Sequence, residues 1–154
     1  MPKADRAGAI LEIDLAAIVA NWRLLGATHP SGPVAGVVKA DGYGLGARAV
    51  AQALYGAGCR HFFVALMDEA LEIRQLVPRA MLAVLSGLIP GSEADYVEHD
   101  VVPVLGSLSE IDAWSKAVRQ SQEHVVVVQP VAPRPVPGGP LRWPCRRLPA
   151  RIPR

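Results

Sequence analysis

From Val34 onward the chain alternates short apolar runs with segments whose apolar residues recur every three or four positions. The runs are VAGVVK (Val34–Lys39), HFFVAL (His61–Leu66), MLAVLS (Met81–Ser86), VVPVLG (Val101–Gly106) and HVVVV (His124–Val128). Such nearly continuous apolar runs are expected of parallel strands covered on both faces. Between them ARAVAQALYGAG, MDEALEIRQLV, PGSEADYVEHD and SLSEIDAWSKAVRQSQ carry helical periodicity, the second stopping at Pro78. Successive strands start about 20 to 28 residues apart, the rhythm of βα units in a parallel sheet. Upstream, AILEIDL (Ala9–Leu15) alternates apolar and acidic residues and predicts a short strand. Asp14 then caps a helix through LAAIVANWRLLGATH, with Leu15, Ile18, Val19, Trp22 and Leu24 or Leu25 on one face. Trp22 and Trp114, at helical spacing among apolar residues, are expected in the core.

The pattern ends at Val128. Residues 129–154 hold eight prolines in 26 positions and no acid, a density that blocks helices and sheet ladders. Charge divides at nearly the same place. All 14 acidic residues lie at or before Glu123 with ten Lys and Arg, a balance of −4, and six Arg follow. The sequence therefore predicts two parts: a folded α/β part over 1–128, and a disordered Pro/Arg-rich tail over 129–154. The tail reads as a proline-rich ligand, a basic nucleic-acid arm, or translation in a shifted frame of GC-rich DNA; the abrupt change at a strand favours the last. Elsewhere no aromatic-rich basic patch suggests nucleic-acid binding.

Two cysteines, Cys59 and Cys145, make no disulfide framework, and Cys59 among small residues is expected to be a buried thiol. The N-terminus MPKADRAGAI lacks a signal-peptide core and no run nears the roughly 20 apolar residues of a membrane helix. A cytoplasmic protein is the expectation. His29, His61, His99 and His124 are scattered without metal-ligand spacing.

Candidate chemistry concentrates in VVKADGYGLGARAVAQAL (Val37–Leu54). Lys39 ends a parallel strand, where α/β folds build active sites. Near apolar walls its amine can act as a nucleophile toward an aldehyde such as pyridoxal phosphate (PLP); taken alone it reads first as a snorkelling strand-end lysine, and its neighbours shift that balance. Asp41 can accept hydrogen bonds, Tyr43 adds a ring and a hydroxyl, and Gly42, Gly44 and Gly46 permit sharp turns before a helix whose N-terminus favours anions. Gly44-x-Gly46-x-x-Ala49 also fits a dinucleotide fingerprint, with Asp68 as the acidic partner. That fingerprint follows its strand directly, whereas here Lys39, Ala40, Asp41 and Tyr43 intervene.

The stretch closely resembles the PLP-attachment motif of alanine racemases, Val-x-Lys-Ala-Asp/Asn-Ala/Gly-Tyr-Gly-His-Gly, departing only at Leu45, where the family usually has His. LEIDLAAIVANWRLL resembles the family's opening strand and helix, and HFFVALMDEALEIRQL its next strand and helix. The resemblance runs from about Ile10 to His124. It implies an α/β fold that is part of a PLP-binding (β/α)8 TIM-type barrel, about five of the eight parallel strands. It implies interconversion of L- and D-alanine, needed for the bacterial cell wall, with Lys39 holding PLP and serving as base on one face, and Tyr43 contacting the cofactor phosphate.

In the family the second base is a tyrosine of a C-terminal β domain, supplied across a homodimer interface, and that domain also pairs with the opening strand. No part of this chain matches it. Tyr55 and Tyr96 match neither missing role. Five strands do not close an eight-stranded barrel and leave apolar edges unpaired, so the chain reads as a truncated racemase with a foreign tail. The rival readings are an inactive racemase fragment with residual PLP binding, a dinucleotide-binding module, and a racemase of serine or another amino acid. Asp68, Glu69 and Glu72 read as acidic residues suited to a helix start.

Overall fold

The computed structural model describes residues 8–29, 31–118 and 127–128. The expected tail over 129–154 lies outside them. Two compact units meet in the chain after residue 83.

In the first unit α1 (Leu15–Thr28) begins as expected, with Asp14 Oδ1 accepting the N–H groups of Ala16 (2.8 Å) and Ala17 (3.0 Å). β1 (Gly36–Val37) pairs in parallel with β2 (His61–Val64), Gly36 opposite Phe62 and Val37 opposite Phe63. β3 (Met81–Val84) follows on the far side of β2, joined to its start by the Met81 N–H donating to Arg60 O at 2.9 Å. Between them stand a single turn, α2 (Lys39–Tyr43), and two helices, α3 (Ala47–Gly56) and α4 (Met67–Arg74).

Helix α3 buries Ala47, Val50, Ala51 and Leu54, a stripe at the three-four spacing that its sequence announces. In β2, Phe62 and Val64 are both fully buried. Each such large side chain contributes about 1.5–3 kcal/mol by leaving water. Arg48 Nη1 donates to Glu72 O at 2.7 Å and links α3 to α4. Helix α4 stops at Arg74, one turn short of Pro78. The Arg74 guanidinium then donates to Val77 O and, at 3.0 Å, to Ala80 O, satisfying carbonyls where proline brings no N–H.

Two expectations are corrected here. Ala9–Leu15 forms no strand: Gly8–Asp14 is irregular, and Ile10 and Leu11 are 72% and 74% exposed. Alternation makes a strand only when another strand accepts its ladder, and no such partner stands among the described residues. Trp22 is half-buried rather than core; its indole N–H donates to Val34 O at 2.9 Å. Leu24 and Leu25 of the same helix are exposed.

In the second unit α5 (Glu93–Glu98) and α6 (Leu108–Val118) flank β4 (Val102–Leu105), which pairs in parallel with β5 (Val127–Val128). All four residues of β4 are buried. Tyr96 and Trp114 form an edge-to-face pair with centroids 6.2 Å apart, a favoured aromatic geometry. The Tyr96 hydroxyl donates to Gly87 O at 3.0 Å, and burial raises its pKa above the usual phenol value. Trp114 is buried as expected.

Candidate active site

Sequence placed Lys39 at the end of a strand. In the structure it opens α2, immediately after Val38, whose N–H donates to Phe63 O at 2.9 Å and is the last rung toward β2. Lys39 thus stands at the C-terminal mouth of two parallel strands, half-buried, and its amine has no hydrogen-bond or ion-pair partner among the described residues.

The turn that follows is left-handed. Ala40, Asp41 and Gly42 have φ of 52°, 51° and 64°, Tyr43 follows at 57° and Gly44 at 81°. For an L-residue this handedness costs about 1–2 kcal/mol each, and Ala40, Asp41 and Tyr43 all bear side chains. Such strain persists only where surrounding contacts over-determine it. Backbone bonds do so internally, among them Gly42 N to Val38 O at 2.9 Å, Gly44 N to Ala40 O at 3.0 Å and Gly46 N to Asp41 O at 2.9 Å. Two carboxylates hold it as well, one from the turn itself and one from α4. Asp41 Oδ1 accepts the Ala47 N–H at 2.8 Å and caps α3. Glu69 Oε1 accepts the Ala40 N–H at 2.7 Å, while its Oε2 accepts Ala65 N–H at 2.7 Å and Leu66 N–H at 3.2 Å.

The turn therefore unites Lys39, Asp41 and Tyr43, as the sequence placed them. Tyr43 is 61% exposed and borders an open cavity of about 250 Å³ with Ile18, Trp22, Val37, Leu45 and Leu54. A larger cavity of about 530 Å³ lies beside Trp22, Arg23, Arg60 and His61, at the strands' N-terminal ends, the side opposite that on which parallel α/β folds place their chemistry. Among the described residues no three His, Cys, Asp or Glu side chains gather as a metal site. No helix among them is long and apolar enough to cross a membrane.

The dinucleotide fingerprint does not survive the geometry. Its third small residue should face the sheet for close packing, but Ala49 is exposed and the buried face of α3 is carried by its neighbours. The helix N-terminus that would receive a pyrophosphate already holds the Asp41 carboxylate. Glu69 was legible only as a helix-start acid. Its contact with Ala40 joins residues 29 positions apart, and no local pattern encodes it.

Comparison with known proteins agrees with this arrangement. The profile of the family described as alanine racemase, N-terminal domain, matches residues 13–129. An alanine racemase of Acidiphilium cryptum is 53% identical over 107 residues, covering 70% of this chain and 30% of that protein. One from Rhodospirillum rubrum is 50% identical over 119 residues, covering 76% and 32%. The chain thus spans about a third of the length of these relatives. Among solved structures, alanine racemase from Bartonella henselae with covalently bound pyridoxal phosphate superposes with a TM-score of 0.65 at 41% identity, over 72% of this chain and 31% of that one. The α/β part is accordingly part of the barrel fold of these enzymes, and the chain belongs to the alanine racemase family, carrying its N-terminal domain.

Proposed function

We propose that this chain is the cofactor-holding portion of a PLP-dependent alanine racemase, which interconverts L- and D-alanine for cell-wall synthesis. The observation that carries the reading is Lys39: an amine without a partner among the described residues, at the mouth of parallel strands, on a turn kept left-handed by two carboxylates. The donor set fits the cofactor. A primary amine can bond its aldehyde carbon, and the exposed Tyr43 hydroxyl can donate to its phosphate. When bound, PLP supplies an electron sink that makes the Cα–H bond of an amino acid acidic.

The chain's own residues then have distinct tasks. Lys39 would hold PLP covalently until the amino group of alanine takes its place, and its freed Nζ would then take or return the Cα proton of alanine on one face. Tyr43 would orient the phosphate. Asp41 keeps the turn closed against α3. Racemisation needs a second acid–base group on the opposite face, and no residue of 1–128 matches one. The family further supports a cytoplasmic homodimer as the working assembly, and the end of the family match at residue 129 supports a boundary at 128.

The test is complementation. The chain is mixed with PLP, alanine and the separately produced C-terminal remainder of the Acidiphilium cryptum relative, and optical rotation is followed. Racemisation that needs both polypeptides and vanishes in Lys39→Ala is expected. Racemisation unaffected by Lys39→Ala would overturn the assignment.

A further inference from the structure

We propose that Glu69 is the positioning residue of the lysine site: by gripping the peptide next to Lys39 it fixes where that amine stands and how readily it takes the cofactor. The inference rests on the reading that Lys39 carries PLP. The N–H of Ala40 belongs to the planar peptide whose carbonyl is that of Lys39, so holding this N–H holds the plane through which the lysine backbone leaves. Glu69 holds it at 2.7 Å with one carboxylate oxygen and anchors the other on Ala65 and Leu66, at the junction of β2 and α4. The loops after two neighbouring strands are thus pinned by one side chain. Ala40, with φ of 52°, has no glycine-like freedom to hold the turn unaided.

Both Glu69 oxygens act as acceptors. Glutamine offers one oxygen and one NH2, so in either orientation a donor meets a donor. Glu69→Gln keeps size and shape and breaks the bridge. The second unit provides a control with similar local geometry and no lysine. Glu110 Oε2 accepts the Gly106 N–H at 2.7 Å, and its Oε1 stands 3.1 Å from where a Cβ on Gly87 would lie.

The experiment measures PLP affinity by absorbance for the full 154-residue chain, Glu69→Gln and Glu110→Gln, together with the pH midpoint of the bound cofactor's visible band and each melting temperature. Expected is affinity lowered about tenfold with a displaced midpoint in Glu69→Gln only, the size of one lost charge-assisted hydrogen bond, while Glu110→Gln loses stability alone. Unaltered affinity and midpoint in Glu69→Gln would overturn the inference. No PLP uptake by the unsubstituted chain would overturn the cofactor reading itself. Should Glu69→Gln not fold, amide exchange of the unsubstituted chain decides: protection at Ala40 equal to that at Ala65 and Leu66 supports the grip, and free exchange at Ala40 overturns it.

Discussion

Asp41 Oδ1 accepts the backbone N–H of Ala47 at 2.8 Å, so one carboxylate both belongs to the strained turn after Lys39 and caps the helix that follows it. Asp41 itself sits at a φ of 51°, a conformation Asn and Asp tolerate better than most residues. Asp41→Ala removes the cap and that tolerance together. It is expected to cost about 1–2 kcal/mol of folding stability, the upper part of the range for lost N-caps, and Asp41→Asn to recover most of it. Chemical denaturation of the three chains checks this; an Ala variant as stable as the parent contradicts it.

Gly36 of β1 is buried where a Cβ would lie 3.0 Å from Leu54 Cδ1 and 3.2 Å from Phe62 Cε1. Gly36→Ala overpacks this contact and is expected to destabilise by about 1–3 kcal/mol. Leu54→Ala makes room, so the double variant should be more stable than the sum of the two single changes predicts. Strict additivity in denaturant melts would show that the close approach of α3 to β1 is not what requires glycine.

How much of this was legible follows from the range of each signal. The stripe of Val50, Ala51 and Leu54 and the fully apolar β4 were readable because periodicity records which face is covered. Ile10 and Leu11 misled, since alternation reports a capacity to pair and not the presence of a partner. The glycines around Lys39 announced a tight turn, but its handedness falls on Ala40, Asp41 and Tyr43, which bear side chains and carry no such local signal. Lys39 and Tyr43 are proposed from a motif; the contact of Glu69 with Ala40 has no such signal, because it is made to a backbone N–H that every residue but proline has.

Tyr96 predicts an alkaline limit for the second unit. Burial raises its folded pKa above the unfolded value near 10. The folded state therefore favours the protonated phenol: this contribution is fully present below about pH 10 and is lost as pH rises through the folded pKa. Tyr96→Phe should remove that alkaline loss while costing about 1 kcal/mol at neutral pH for the hydrogen bond to Gly87 O. Melting temperatures from pH 7 to 11 check it, and an unchanged alkaline slope in Tyr96→Phe counts against it.

Cys59 is fully buried, and its thiol donates to His61 O at 3.3 Å. In a Cys145→Ser background, which leaves Cys59 as the sole thiol, a thiol reagent is expected to react only after denaturant unfolds the first unit, because reactivity needs an accessible thiolate. Fast labelling under native conditions would contradict this burial.

The proposed activity turns on Lys39 being the group that takes the cofactor. The most direct measurement is to incubate the chain with PLP, reduce with borohydride, digest, and locate the pyridoxyl mass on peptides, with Lys39→Ala alongside. Stoichiometric label on Lys39 is expected, and none in the variant. Label scattered over Lys3 and Lys116, or label undiminished by Lys39→Ala, would contradict it.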